Sequence, residues 1–582
     1  MYADVILLAH HIEHLTDTSA SPADAVAIAD GRVAAVGSAS EIAALRGPNT
    51  VVHEFPGAAV LPGLVDVHAH PVWGSISTGS GVDMLGAATL DQVFDRVAAA
   101  AAGRPADAWI TGYDLDVNVF DGDPTGLVFA ERFPGTAISL MTRDAHALVV
   151  SPRVVELVGL TGRETFTDAS SVETGPDGRP TGYIVELQAM DLVFPHYPEI
   201  PVETAAAYVR DRLEQLAACG LTGLHALDFG DPSEDVYRYI EAHGELPLRV
   251  RCSPLVPADS APEAWAQVAG LQGRGGRRWH VEGAKFMLDG TADNGTAWFE
   301  RPDIHGENRE PLWRDVNGYR AAMRFFAERG IPTATHAIGD QAVRFALDVI
   351  EEVGPVQRAP HRIEHIESIP DDLLGRFAEL GVVASLQPVH GTRHTRADGT
   401  DNWSRRIGPD RVAHGWRTRD LLDHGAVVVL GSDWPIGPGD PRVGLADCQL
   451  RRPVEEPGTP PVQPGQAVAA REAYAGMTVA AAYAGGVSHE LGRVAPGYLA
   501  DLTVFAANPL DLAPEAQPGN AVLATVVGGL VRTYAGAANS ASEYDGSPNP
   551  GGALTGGARA EGPGNEGAHD ESSHNGTRKG RL

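Results

Sequence analysis

Residues 319–336 read Tyr319-Arg-Ala-Ala-Met-Arg-Phe-Phe-Ala-Glu-Arg-Gly-Ile-Pro-Thr-Ala-Thr-His336, a helix-like segment closed by Gly330 and followed by a short apolar run that ends on a polar group. The pattern returns downstream. Residues 341–353 close with Gly354 and lead to His361-Arg-Ile-Glu-His365; residues 373–380 close with Gly381 and lead to Val382-Val-Ala-Ser-Leu-Gln-Pro-Val-His390; residues 421–424 close with Gly425 and lead to Ala426-Val-Val-Val-Leu-Gly-Ser-Asp433. Glycine after a helix supplies a left-handed cap, and short continuous apolar runs suit strands buried on both faces. Alternating helices and strands imply a parallel sheet. Polar groups at the C-terminal ends of several strands are how an eight-stranded βα barrel builds its active site.

Two upstream runs carry the same signature. Ala59-Val-Leu-Pro-Gly-Leu-Val-Asp-Val-His-Ala-His70 ends in His68 and His70, whose spacing of two puts both imidazoles on one face of a strand. Neutral imidazole is the commonest nitrogen ligand for zinc. Val281-Glu-Gly-Ala-Lys-Phe-Met-Leu-Asp289 contains Lys285, the sole lysine of the first 578 residues. A buried ε-amine can lose its proton and react with carbon dioxide to give a carbamate, a bidentate anion able to bridge two metal ions; a guanidinium cannot. The alternative is a lysine at the barrel rim paired with Glu282 or Asp289. The runs Ala137-Ile-Ser-Leu-Met141, Leu221-Thr-Gly-Leu-His-Ala-Leu227 and Leu248-Arg-Val-Arg251 complete nine strand candidates for eight places, and the Ala137 run is expected to belong to an insertion.

In this order the motifs resemble the amidohydrolase superfamily, and within it the amidohydrolase family 3 branch that includes N-substituted formamide deformylases. The resemblance covers roughly residues 1–535 and rests on Leu61-Pro-Gly-Leu-Val-Asp-Val-His-Ala-His70, Lys285-Phe-Met-Leu-Asp-Gly290, His336-Ala-Ile-Gly-Asp340, His361-Arg-Ile-Glu-His365, Gly431-Ser-Asp-Trp-Pro435 and Gly497-Tyr-Leu-Ala-Asp-Leu502. It implies that His68 and His70 bind one divalent ion, zinc by expectation, and His336 and His365 a second. Lys285 as a carbamate would bridge them, and Asp433 would complete the first site and shuttle protons. Single-metal members exist, so one or two ions are both open. Glu186, closing Thr181-Gly-Tyr-Ile-Val-Glu186, matches a recurring glutamate and is an alternative metal ligand or acid, or else a solvated or paired side chain. The implied chemistry is attack of metal-activated hydroxide on a non-peptide carbon-nitrogen bond of an amide, formamide or cyclic amide. A metal-dependent isomerase or ester hydrolase on the same site, or a non-catalytic regulatory relative, is the alternative.

The segment Arg143-Asp-Ala-His146 resembles the family's Asp-x-His element thought to face substrate, which makes Asp144 and His146 candidate substrate contacts, although Val150 stands where asparagine is expected. His390 is a substrate or oxyanion contact, or a loop residue. His225 and Asp228 are read as structural, and the cluster of His10, His11, Glu13 and His14 as exposed.

The 582 residues exceed an ordinary barrel of about 250, which leaves room for a second module and long loops. Ala25-Val-Ala-Ile-Ala-Asp-Gly-Arg-Val-Ala-Ala-Val36 is an alternating hairpin around Asp30-Gly31, and residues 501–505 and 522–534 are strand-like. Both chain ends are therefore expected to form a small β-sandwich, from residues 1–59 and 486–535, beside a (β/α)8 TIM barrel spanning 60–485. Residues 71–215 are read as an insertion whose aromatic residues, Trp73, Trp109, Tyr113 and Phe120 among them, build its own core or a lid. Residues 536–582 hold too few large apolar side chains to fold.

A net charge of −31 argues against nucleic acid and anionic membrane as partners; a small-molecule substrate is expected, and a homodimer is left open. Cys219, Cys252 and Cys448 show neither zinc spacing nor a disulfide framework. The start lacks a signal-peptide pattern and no run of about 20 apolar residues occurs, so a cytoplasmic location is expected.

Overall fold

The computed structural model describes residues 2–15, 22–105 and 107–534. Among the described residues, eight apolar runs form the path of one parallel sheet whose order follows the chain: β1 (Leu64–Ala69), β2 (Leu221–Phe229), β3 (Arg249–Val256), β4 (Ala284–Met287), β5 (Thr333–Ala337), β6 (Arg362–His365), β7 (Val383–Leu386) and β8 (Val427–Leu430), with the short strand Trp279–Val281 paired to β3 off this path. A parallel bridge between Ala69 and Trp434 returns β8 to β1, and the Asp433 amide donates to His68 O at 2.8 Å. This is a (β/α)8 barrel.

Every residue of β5, β6 and β7 is buried, because the barrel interior covers one face and helices the other. The helix Val316–Ala327 buries Tyr319, Met323 and Phe326, and Asp371–Leu380 buries Leu373, Leu374 and Phe377, spacings that make one apolar stripe against the strands. Gly381, at φ 66°, ends the second of these helices in the left-handed conformation that its position in the sequence predicts.

Ala137–Thr142 lies outside the barrel, in a six-stranded sheet with Val82–Asp83, Trp109–Leu115, Ala147–Val150, Ser171–Thr174 and Pro180–Val185. Most aromatics of this region pack among themselves: Trp109 meets Tyr197 with ring centroids 5.4 Å apart, and Phe120 joins Phe129 in a local core. Trp73, also packed against the insertion's second apolar cluster, meets His70 edge-on with centroids 5.8 Å apart.

The chain ends meet as the alternating runs predict. Leu502–Phe505 pairs antiparallel with Ala59–Pro62 and with Val522–Val527 in a five-stranded sheet. A four-stranded sheet of Ala3–Leu8, Ala25–Ala29, Arg32–Gly37 and Arg46–Glu54 faces it, and Leu7, Val26, Ile28, Val60, Val504 and Val526 share the core between them. Asp30 and Gly31, at φ 51° and 73°, make the hairpin turn. Asp501 ties this sandwich to the barrel: it accepts from Arg249 Nε on β3 at 2.5 Å and from the Gly528 amide at 2.7 Å. Asp501→Asn should cost about 1.5–3 kcal/mol, the worth of hydrogen bonds to a charged group, read as a lower urea midpoint at constant slope.

Two expectations need correction. Glu13 is buried rather than exposed, because it accepts from the Leu15 amide at 2.8 Å and from Arg471 NH1 at 3.0 Å, fastening the N-terminal segment to the helix Ala470–Gly476. His390 does not end a strand: β7 stops at Leu386, and Pro388 opens the short helix Pro388–Arg393 that carries it. The segment 536–582 lies outside the described residues. Among the described residues, no helix is long and apolar enough to cross a membrane.

Candidate metal-dependent active site

The polar groups foreseen at separate strand ends converge on Asp433, just beyond β8. Its Oδ1 lies 2.9 Å from His70 Nε2 and 3.2 Å from His68 Nε2; its Oδ2 lies 3.6 Å from His390 Nε2 and 4.0 Å from His365 Nδ1. His336 joins through its ring, 4.3 Å from that of His365 between centroids. Backbone conformation helps aim these groups, since Asp433 and His365 have φ of 56° and 73°, a region that side-chain-bearing residues enter at a cost.

The strands are locked behind the ligands. Asp66, two residues before His68, accepts from the Ser432 amide at 3.0 Å and hydroxyl at 2.5 Å, joining β1 to β8. A Cβ on Gly431 would come within 2.7 Å of His68 Cβ, so only glycine lets β8 approach this closely. On the other side Asp289 accepts from the amides of Ile338 and Gly339 at 3.0 and 2.9 Å, which fixes the turn after His336. His336 Nε2 lies 3.1 Å from Gly290 O, which leaves Nδ1 as its free lone pair if Nε2 carries the hydrogen.

Lys285 on β4 is 2 % exposed. Burial lowers its pKa to about 8; Glu364 and Asp433 oppose the shift, and Arg362 adds to it. Asp433 runs the other way: burial disfavours its charge, but His68 and His70 hold it well below the usual carboxylate range. Glu364 is brought down to about 2 against burial by Arg362 and His68.

The candidate substrate residues line the same space, a cavity of about 1390 Å³. Asp144 faces it but is also tied across to the β4 loop, where Thr291 Oγ1 donates at 3.0 Å. Glu186, fully buried at φ 65°, stands 2.9 Å from His146 Nδ1 and accepts from Thr296 Oγ1 at 2.6 Å. Both its oxygens are thus engaged with residues around the cavity. Burial works against a charge on His146, yet Glu186, Asp144 and Asp433 raise its pKa to about 9.

The donor set fits a divalent cation. His68, His70 and Asp433 form one group of ligand atoms, and His365, His390 and Asp433 another, each within 4.8 Å of one another. His365 Nδ1 and His390 Nε2 are buried without a hydrogen-bond partner, a cost that a bound ion removes. Sequence reading singled out neither Glu364 nor Gln387, both of which touch His68 Nδ1, at 2.7 and 3.2 Å. The visible signal was a charged pair, Arg362 and Glu364, inside an otherwise apolar strand.

A (β/α)8 barrel with histidines, a lysine and an aspartate at the C-terminal mouth defines the class of metal-dependent hydrolases built on this fold. The chain belongs to the amidohydrolase family, whose profile matches residues 56–532. It is 25% identical to the N-substituted formamide deformylase of Arthrobacter pascens, over 89% of this chain and 96% of that one. It is 26% identical to the protein LONG AFTER FAR-RED 3 of Arabidopsis thaliana, over 88% and 89% of the two chains. An uncharacterized metal-dependent hydrolase of Pyrococcus horikoshii has the same fold, with a TM-score of 0.68 at 22% identity, covering 88% of this chain and 99% of that one.

Proposed function

We propose that this protein hydrolyses a non-peptide carbon-nitrogen bond, in an amide, formamide or cyclic amide, with divalent metal, zinc by preference, as its cofactor. The observation that carries the reading is the gathering of four imidazoles, from residues 68, 70, 365 and 390, around the single carboxylate of Asp433. The likeness to a formamide deformylase supports the choice of bond.

His68, His70 and Asp433 would hold one ion, and His336, His365 and Lys285 as its carbamate a second, with His390, grouped with His365 and Asp433, a further donor for the second. Bound there, the metal supplies Lewis acidity, which lowers the pKa of water and polarises a carbonyl. Asp433, kept ionised by its histidine neighbours, takes the proton of the attacking water and returns it to the departing nitrogen. His146, held cationic by Glu186, offers a hydrogen bond to an oxygen that gains negative charge, and Asp144 orients the substrate at the cavity wall.

Chelation is expected to abolish hydrolysis, and zinc, manganese or cobalt to restore it. The check is a screen of amides, formamides, cyclic ureas and esters before and after chelator treatment. Full activity in metal-free protein removes the proposal; turnover of esters but no amide replaces it with an ester hydrolase.

A further inference from the structure

Arg362 and Glu364, two residues apart on β6, lie on the face opposite Ile363, which packs in the main apolar core. They are 5 % and 0 % exposed. A buried ion pair is weak support for stability, since the loss of hydration rivals the attraction gained, so a pair in the barrel interior invites a functional reason. The surrounding contacts supply one. Arg362 Nε lies 2.7 Å from Glu364 Oε1, and Arg362 NH1 lies 2.9 Å from His225 Nδ1 on β2. The other carboxylate oxygen, Oε2, lies 2.7 Å from His68 Nδ1.

Donors and acceptors can be assigned along this chain without ambiguity. A guanidinium only donates and an ionised carboxylate only accepts. His225 therefore accepts through Nδ1, and His68 carries a hydrogen on Nδ1, which makes Nε2, 3.2 Å from Asp433 Oδ1, the nitrogen that a divalent ion would take. Gln387 agrees: its amide lies 3.2 Å from His68 Nδ1, and turning the amide so that its oxygen faces that N–H gives Oε1 the partner it otherwise lacks. Four strands, β1, β2, β6 and the end of β7, thus contribute to the orientation of one imidazole.

We propose that Glu364 is a positioning residue that fixes the tautomer and ring orientation of His68 for a divalent ion, with Arg362 holding Glu364 and His225 holding Arg362. The inference rests on the metal-dependent reading above and deepens it. Carboxylates behind ligating histidines raise the basicity of the free nitrogen, and removing one weakens metal binding about 10- to 100-fold.

The test is zinc affinity, measured by competition with a chromogenic chelator, together with the visible absorption spectrum of the cobalt-substituted protein. Glu364→Gln leaves Arg362 without its countercharge and stands to fold poorly, so Glu364→Asp is the deciding variant. It keeps the charge that Arg362 needs but withdraws the carboxylate from His68 by one methylene. Glu364→Asp is expected to bind zinc about 10- to 100-fold more weakly than the parent and to shift the cobalt bands, with the melting temperature of the metal-free protein close to the parent's. Arg362→Lys, which cannot span from His225 to Glu364 in the same fork, should move both readings the same way by less. If Glu364→Asp binds zinc with parental affinity and gives the parental cobalt spectrum, the positioning role is wrong while the hydrolase reading stands. A folded parent that takes up no divalent ion overturns both.

Discussion

Asp433→Asn is expected to lower turnover by about 10²- to 10⁴-fold, the range for loss of a positioned general base. The substitution keeps the size of the side chain, so the contacts of the backbone with His68 O and the turn after β8 should survive. What disappears is the capacity to take a proton. The aspartate is held ionised by His68 and His70, with Oδ1 2.9 Å from His70 Nε2, whereas an amide at the same place cannot accept and return a proton near neutral pH. The measurement is kcat at saturating substrate beside metal content per chain. Some metal should remain, because the histidines are untouched. A fall of less than tenfold would move the shuttle role to His146 or Glu186.

Lys285 carries the second large effect. If it becomes a carbamate that bridges two ions, Lys285→Ala should lose most of one ion per chain and nearly all activity, and a small carboxylic acid or bicarbonate at high concentration should restore part of the rate. Lys285→Arg should be as inactive and beyond rescue. A permanent positive charge would then sit where two cations require a shared anion. The lysine is suited to the modification, being 2 % exposed with a pKa lowered to about 8, so that neutral amine is present near neutral pH. Metal content of the three proteins and a rate series in added formate or acetate check this. Near-parental activity in Lys285→Arg would make the lysine a structural cation and leave a single-metal site.

Much of the architecture was legible in advance because its signals are local. A glycine after each helix and an apolar run of four to six residues are properties of adjacent positions, and they located β5 to β8 and, through Asp30-Gly31, the N-terminal hairpin. The surplus ninth run, from Ala137, fell outside the barrel as expected. His390 shows the limit. Its run was read on through Gln387-Pro388-Val389, although the polar Gln387 interrupts the apolar residues just past the strand; the proline, which fits the first turn of a helix, was the better signal. Glu13 shows the same limit in another way, since a glutamate beside histidines looks solvated until a residue 458 positions away, Arg471, comes to meet it.

The sequence by itself determined the class of fold and singled out the histidines and one lysine as candidate ligands, because helix caps, strand periodicity and ligand chemistry reside in neighbouring residues. Only the tertiary structure decided which side chains meet: that Asp433 stands between four imidazoles, that Glu186 supports His146, and that Glu364, held by Arg362, backs His68 from 296 residues further along. The physical reason is that closing eight strands into a barrel joins β8 to β1 and points alternate residues inward, so distances of a few ångströms arise between positions whose separation along the chain carries no trace of them.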